Sequence, residues 1–294
     1  MWRSTIIDLG SPVHIIDYGG TGTPLVLVHG LEGCALNWVG AAPHLTGSHH
    51  VVALDLAGFG ITPPNGRDVT VESNAGLVVD FVEHLGEGPA VLMGNSMGGL
   101  VSMLVAVDRP DLVEAMVLVD PALPVVSWRD ADREVLVKLL GPLIPFLGPS
   151  FVRLYHRTHS PEEHARESMA MVAAEPSSIP EIVRAASEEV VRARRTLSWA
   201  VPSLVDADRS IATWVLNRGK YVRMLHKISV PTLLVHGTED RLVHHTAAAW
   251  AIEERPDWDF VLLEGLGHVP MMEDPDAFVN AVEPFLERTA GIPR

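Results

Sequence analysis

The feature that most constrains the fold is the segment Gly94-Asn95-Ser96-Met97-Gly98-Gly99. A short apolar run, residues 90–93, precedes it, and a longer apolar run, residues 100–107, follows it. This order predicts a strand, a sharp turn and a buried helix, with Ser96 at the apex of the turn. The Gly-x-Ser-x-Gly pattern suits such a turn because only small residues two positions before and after the serine let the strand and the helix approach closely. The hydroxyl is then pushed out of the sheet, and the helix N-terminus favours negative charge that develops there.

Continuous apolar runs elsewhere in the chain predict further strands that are buried on both faces. They alternate with stretches of helical spacing, and this alternation predicts an α/β fold with a mostly parallel sheet flanked by helices. The first two strands are separated only by Gly10-Ser11-Pro12, which predicts an antiparallel edge. Eight strands are expected, at residues 6–9, 13–18, 25–28, 50–56, 90–93, 115–120, 232–235 and 260–263, and helices at 38–45, 71–85, 246–254 and 277–288.

The rhythm of strands and helices changes between residues 121 and 225. Seven prolines between residues 142 and 202 punctuate stretches of helical spacing there, and no strand-like run occurs. We therefore predict a helical cap over residues 121–225, inserted into a core domain formed by residues 1–120 and 226–294. A chain of 294 residues is long enough to bury one large core that carries such an insertion.

Composition narrows the class of partner. The formal net charge is −15 and no run of Lys or Arg offers a phosphate-binding stripe, which argues against nucleic acid and favours a neutral or apolar small molecule. The single Cys34 excludes an intramolecular disulfide and a zinc-type cysteine cluster. No signal-peptide pattern and no run of about 18 apolar residues is present, so we expect a cytoplasmic protein without a membrane span. Assembly into a homo-oligomer is left open.

A serine hydroxyl is a poor nucleophile at neutral pH and needs a base beside it and a third group to fix that base's tautomer. In a parallel sheet these partners should lie in loops at the carboxyl ends of other strands. Asp240 follows the strand at 232–235, and His268 lies in a glycine-flanked loop after the last strand. The order Ser96, Asp240, His268 is that of one known serine triad. Two other acids, Glu239 and Asp120, remain alternatives to Asp240.

At this point the chain resembles the α/β-hydrolase superfamily over nearly its whole length. The motifs that carry the resemblance are His29-Gly30, Asp55-x-x-Gly58-x-Gly60, residues 94–99, Gly237-Thr238-Glu239-Asp240 and Gly267-His268-Val269-Pro270. The resemblance implies the α/β-hydrolase fold and no cofactor or metal ion. It implies that Ser96 is the nucleophile, His268 the base and then the acid, and Asp240 the orienting carboxylate. It also implies that the backbone N–H groups of Leu31 and Met97 form an oxyanion hole.

The serine at the turn separates this chain from related haloalkane dehalogenases and epoxide hydrolases, which use aspartate there, so the resemblance implies attack on an acyl carbon. The first hypothesis is a serine esterase for small to medium apolar acyl groups. The form Gly-Asn-Ser-Met-Gly-Gly also resembles meta-cleavage-product hydrolases, which break carbon–carbon bonds and usually carry tryptophan directly after the catalytic histidine, where this chain has Val269. A ligand-binding receptor on the same fold is the third hypothesis.

The pocket is harder to predict. Trp38 and Met271 are candidates for lining an apolar acyl site, as are Met97 and Met272, although residues of these types near a core more often serve packing alone. His29 is expected to brace the oxyanion loop. The cap is expected to shape the pocket and to exclude water from it.

Overall fold

An eight-stranded sheet runs through the computed structural model, which describes residues 2–126 and 148–289. The spatial order is β1-β2-β4-β3-β5-β6-β7-β8. β1 pairs with β2 and β2 with β4 in antiparallel fashion, and all other neighbours are parallel. The predicted mostly parallel sheet with an antiparallel edge is therefore confirmed. The strands are β1 Arg3–Asp8, β2 Pro12–Gly19, β3 Thr23–Val28, β4 His49–Leu54, β5 Ala90–Asn95, β6 Val113–Val119, β7 Thr232–Gly237 and β8 Asp259–Leu263.

The central strands are apolar throughout because both of their faces are covered. In β3, Leu25 and Leu27 belong to the apolar cluster on one face of the sheet, and Val26 and Val28 to the cluster on the other. Side chains of a strand alternate between faces, so a strand buried on both sides reads as a continuous apolar run.

Ten helices accompany the sheet in the described parts of the chain. α1 matches the prediction for residues 71–85: the Thr70 side chain accepts a hydrogen bond from the Ser73 N–H, and Gly86 ends the helix in the left-handed conformation. The helices are α1 Val71–Leu85, α2 Met97–Asp108, α3 Gly148–Thr158, α4 Pro161–Val172, α5 Glu181–Arg194, α6 Ala200–Val215, α7 Arg218–Leu225, α8 His245–Glu254, α9 Pro270–Glu273 and α10 Pro275–Thr289.

The helix predicted at residues 38–45 is wrong. Two short 3-10 turns, Ala35–Trp38 and Ala42–Leu45, occupy this segment instead. Gly40 lies between them, where a Cβ atom would come within 2.8 Å of Pro275 Cγ, and Pro43 lies inside the second turn. Glycine and proline both disfavour the interior of an α-helix, so the apolar spacing alone misled the prediction.

The region predicted as a cap is largely helical over residues 148–225, whereas residues 121–126 form neither helix nor strand. Residues 127–147 of the predicted insertion lie outside the described residues, and residues 148–225 form α3 to α7 without a strand. α7 packs on the core layer: the Tyr221 hydroxyl donates to the Ala122 carbonyl at 2.8 Å, and its ring lies 6.3 Å from that of Trp250. The division into core and cap stays a prediction. Of the described helices, none is long and apolar enough to cross a bilayer.

Candidate active site

Ser96 is the single residue between β5, which ends at Asn95, and α2, which begins at Met97. Its backbone has φ 54° and ψ −116°, a conformation that non-glycine residues rarely adopt. The turn is held by backbone bonds, because the Ser96 N–H donates to the Val119 carbonyl at 3.0 Å and the Ser96 carbonyl accepts from the Ala122 N–H at 3.0 Å. Strain of this kind persists only where the surrounding structure enforces it. Ser96 is partly exposed, whereas its chain neighbours are buried.

The glycines around Ser96 are required by close backbone contacts. A Cβ atom on Gly94 would lie 2.3 Å from the Gly98 carbonyl oxygen, and one on Gly98 would lie 2.2 Å from the Val28 carbonyl oxygen. Neither backbone oxygen could move away without disturbing the strand or the helix. Glycine is therefore required at both positions for the strand and the helix to approach this closely.

His268 and Asp240 form a buried pair. His268 Nδ1 lies 2.7 Å from Asp240 Oδ2, while the other carboxylate oxygen accepts hydrogen bonds from the N–H groups of Leu242 at 2.7 Å and Val243 at 3.0 Å. Burial acts to raise the pKa of Asp240, but the neighbouring His268 and these hydrogen bonds outweigh it and hold that pKa below its ordinary value. Asp240 is therefore an anion that fixes Nδ1–H as the hydrogen-bearing side of His268. Neither alternative acid, Glu239 or Asp120, makes this contact.

Asn95, which sequence reasoning missed, joins the two halves of the site. Its side-chain amide donates to the Val119 carbonyl at 3.1 Å and to the His268 carbonyl at 3.0 Å. The residue directly before Ser96 thus holds the loop that carries His268. Its place inside the Gly-x-Ser-x-Gly pattern was visible in the sequence, but its partners were not, because one lies on β6 and the other in the loop after β8.

The His268 loop is also tied to the end of α4. The Glu273 carboxylate accepts hydrogen bonds from the Gly267 N–H at 2.9 Å and from the Ala174 N–H at 2.8 Å, and the His268 N–H donates to the Val172 carbonyl at 2.7 Å. Burial raises the pKa of Glu273. The position of the histidine therefore depends on the segment that follows α4 as well as on the sheet.

His29 braces the loop after β3, as predicted. It is fully buried, its Nε2 accepts from the Leu56 N–H at 3.0 Å, and its Nδ1 lies 2.7 Å from the Gly30 carbonyl oxygen. Burial lowers the pKa of His29 to about 4, so it is neutral and carries its hydrogen on the nitrogen that faces the carbonyl.

The residues predicted for the oxyanion hole approach Ser96 from two sides. A Cβ atom on Gly30 would lie 3.1 Å from Ser96 Cβ, so the loop that continues into Leu31 passes directly beside the serine. Met97 follows Ser96 in the chain and opens α2. Two separate backbone segments thus border the hydroxyl, and the assignment of their N–H groups to an oxyanion stays a prediction.

A cavity of about 350 Å³ brings these residues together. Ser96, His268 and Leu31 line it, and so does Met271, one of the predicted pocket residues. Trp38 does not: its side chain is fully buried and packs against Phe278, with ring centroids 6.4 Å apart. Trp38 serves the core because the 3-10 turn that carries it directs its side chain into the sheet layer.

The cavity wall also contains buried charge that the sequence did not reveal. Arg194 on α5 is 8% exposed, and its Nη1 has no hydrogen-bond partner in the described part of the chain. Asp208 on α6 is 7% exposed, and burial together with the charge of Glu32 raises its pKa to about 7. Helical spacing marks Arg194 and Asp208 as ordinary polar helix residues, so only the packing identifies them as cavity residues.

One group among the described residues has the spacing of metal ligands. Asp120, His236 and Asp240 each offer a ligand atom, and these atoms lie within 4.8 Å of one another. A cation there would compete with His268 for Asp240 and would occupy a position shut off from water, since all three side chains are buried. The donor set therefore fits a cation poorly while Asp240 is bound to His268.

Comparisons with known proteins agree with this architecture. Residues 23–275 match a family model described as alpha/beta hydrolase fold. A 2-hydroxy-6-oxo-6-(2'-aminophenyl)hexa-2,4-dienoic acid hydrolase of Metapseudomonas resinovorans is 27% identical over 286 residues, 94% of this chain and 88% of the relative. Lipase 3 of Moraxella sp. strain TA144 is 25% identical over 86% of this chain and 74% of its own length. The crystal structure of serine hydrolase CCSP0084 from Cycloclasticus zankles superposes with a TM-score of 0.76 at 21% identity and covers 98% of both chains.

Proposed function

Because this chain belongs to the alpha/beta hydrolase fold family, we propose that it is a serine hydrolase that cleaves carboxylic esters of small to medium apolar acyl groups. Ser96, His268 and Asp240 are the proposed triad. The proposal is carried by the 2.7 Å contact of His268 with Asp240, since His268 and the strained Ser96 line the same cavity. The Moraxella relative, a lipase, supports the same class of chemistry.

In the proposed reaction, the Nδ1–H of His268 is bound to Asp240, so the imidazole lone pair is on Nε2. Ser96 Oγ attacks the acyl carbon while its proton passes to Nε2. The tetrahedral oxyanion accepts hydrogen bonds from the N–H groups of Leu31 and Met97, each worth about 3 kcal/mol. His268 then protonates the leaving alcohol, and water repeats the sequence to release the acid.

Hydrolysis of p-nitrophenyl esters from acetate to decanoate tests this proposal. We expect turnover that depends on chain length and that falls about 10³-fold or more in Ser96→Ala, because the nucleophile is lost while the cavity remains. Ser73→Ala, on α1 outside the cavity, is the matched control and should hydrolyse the series like the wild type.

Two outcomes would count against the esterase. One is a folded wild type that leaves every ester intact, and the other is a Ser96→Ala variant that keeps its turnover. A slow, ligand-dependent response without turnover would favour the receptor hypothesis instead.

Arg194 favours a second candidate, the hydrolysis of a carbon–carbon bond in a substrate that carries a carboxylate. A buried guanidinium with an unpartnered nitrogen in a cavity wall is suited to a planar anion, which it binds through two parallel hydrogen bonds. The Metapseudomonas relative is by name a hydrolase of a hexadienoic acid. A dienoate ring-fission product of this kind would place its carboxylate on Arg194 and its ketone next to Ser96.

The test compares such a dienoate with the neutral p-nitrophenyl butyrate. In Arg194→Met we expect the KM for the dienoate to rise about 10- to 100-fold and the KM for the neutral ester to change far less, since a charged hydrogen bond is worth about 1.5–3 kcal/mol. Arg192→Met is the matched control: it removes the same charge from the same helix at an exposed residue paired with Glu162.

No turnover of the dienoate at high enzyme concentration would reject the carbon–carbon hydrolase. Equal KM changes for both substrates in Arg194→Met would reject the carboxylate site.

A further inference from the structure

Behind the Asp240–His268 pair lies a second buried acid with an unusual environment. Asp120 follows β6 directly, is fully buried and has a φ of 43°. Its Oδ1 accepts a hydrogen bond from the Gly237 N–H at 2.8 Å and lies 3.5 Å from Nδ1 of His236, which is also fully buried. One side-chain oxygen of Asp120, one of Asp240 and one ring nitrogen of His236 lie within 4.8 Å of one another.

The hydrogen bonds of this group leave two acceptors without a donor. His236 Nε2 lies 2.7 Å from the Val243 carbonyl oxygen, which can only accept, so Nε2 carries the imidazole hydrogen. Burial lowers the pKa of His236, so the ring is neutral and Nδ1 is a bare lone pair. Asp120 Oδ2 and His236 Nδ1 are both buried, and neither has a hydrogen-bond partner.

The carboxylates of Asp120 and Asp240 would repel each other if both were ionised, so the group needs one more proton. Two ionised carboxylates this close together in a buried site cannot both persist, and one of them takes a proton. Asp240 already faces the N–H groups of Leu242, Val243 and the His268 ring, all of which stabilise its anion. Asp120 receives a single backbone N–H, so the proton belongs on Asp120.

We propose that Asp120 holds a proton at neutral pH and is a positioning residue for the Asp240–His268 pair, a role that rests on the function proposed above for that pair. The added O–H supplies the missing donor within the group. The charge of Asp240 is then the single negative charge of this group. Both Asp240 oxygens therefore keep their hydrogen bonds to His268 and to the N–H groups of Leu242 and Val243.

The charges around Asp120 agree with this assignment. Burial first, and the Asp240 charge second, raise the pKa of Asp120 well above its ordinary value, and Glu273 on α9 adds to the effect. The other titratable groups facing this cluster are His236 on β7, His268 and His245 on α8.

Infrared spectroscopy tests the proton directly and needs no activity. The difference spectrum of wild type minus Asp120→Asn at pH 7 should contain the carbonyl stretch of a protonated carboxylic acid. Other acids with raised pKa values, such as Asp208, occur in both proteins and cancel. A difference spectrum with only carboxylate bands would overturn the proposal, because Asp120 would then be ionised and any extra proton would belong to His236.

The dependence of kcat on pH tests the positioning role. If Asp120 is neutral, Asp120→Asn should keep the midpoint of the acid limb and lose less than about tenfold in kcat, whereas Asp120→Ala should lose more because Gly237 N–H also loses its acceptor. If Asp120 is ionised, its removal should move the midpoint down by about one pH unit or more, since a nearby anion favours protonated imidazole. Such a shift would contradict the proposal. Inactivity of the wild type would reject the triad and leave the infrared result standing.

Discussion

At the scale of single residues, the proposed chemistry depends on positions where a side chain is absent. Ser96 can adopt its strained backbone only because Gly98 lets α2 approach β3. A Cβ atom at Gly98 would meet the backbone oxygens of Val28 at 2.2 Å and His29 at 2.6 Å. His29 also opens the loop that carries Leu31, so crowding at Gly98 would disturb the nucleophile and the neighbouring N–H group together.

We therefore expect Gly98→Ala to lower the free energy of unfolding by about 1–3 kcal/mol, as overpacking does elsewhere, and to lower kcat about 100-fold through a shift of the turn. Urea denaturation and ester hydrolysis measure the two effects. Gly76→Ala is the matched control: Gly76 is exposed within α1 and has nothing within 4 Å of the added methyl, so this variant should gain about 0.5–1 kcal/mol. A Gly98→Ala protein with wild-type stability and activity would show that the turn is not constrained as described.

Sequence reasoning singled out the residues that a local sequence pattern marks. Ser96 is marked by its glycines, and Asp240 and His268 by loops that follow buried strands. Asp120 was recognised as a strand end, but its relation to His236 arises only when two strands lie side by side. Arg194 gave no signal at all, because an arginine on a helix is normally solvated and only packing reveals its burial.

At the scale of elements, the strands of the sheet could be predicted from the sequence, whereas the segments that connect them were predicted less accurately. The central parallel strands, buried on both faces, leave continuous apolar runs, and Gly10-Ser11-Pro12 marks the antiparallel edge, so all eight strands were found. The segment at residues 38–45 failed because Gly40 and Pro43 break a helix that apolar spacing suggests. For the cap, helical spacing predicted helices, but the spacing does not say which face turns toward the cavity.

The elements also explain how α4, in the region predicted as a cap, and the sheet together hold the candidate site. The end of α4 binds the His268 loop through Val172 and through the Glu273 carboxylate, while Asn95 binds the same loop from β5. Because the proposed base is held from both sides, a movement of α4 would be transmitted to His268.

At the scale of the whole molecule, the fold family is established and the choice of substrate is a property of the cavity. The net charge of −15 argues against polyanions in general, yet the buried Arg194 offers one local site for an anion. A small carboxylate that enters an apolar cavity is compatible with both observations. The ester and the carbon–carbon hypotheses share Ser96 as nucleophile, so evidence against that role would reject both.

The most direct measurement of this central claim is covalent capture with a fluorophosphonate, followed by intact mass and peptide mapping. Attack by Ser96 Oγ on phosphorus expels fluoride and leaves a stable phosphonate ester. We expect one label per chain, located on Ser96, absent in Ser96→Ala and formed far more slowly in His268→Gln. Labelling of Ser96→Ala at the wild-type rate, or a folded wild type that takes up no label, would contradict the account.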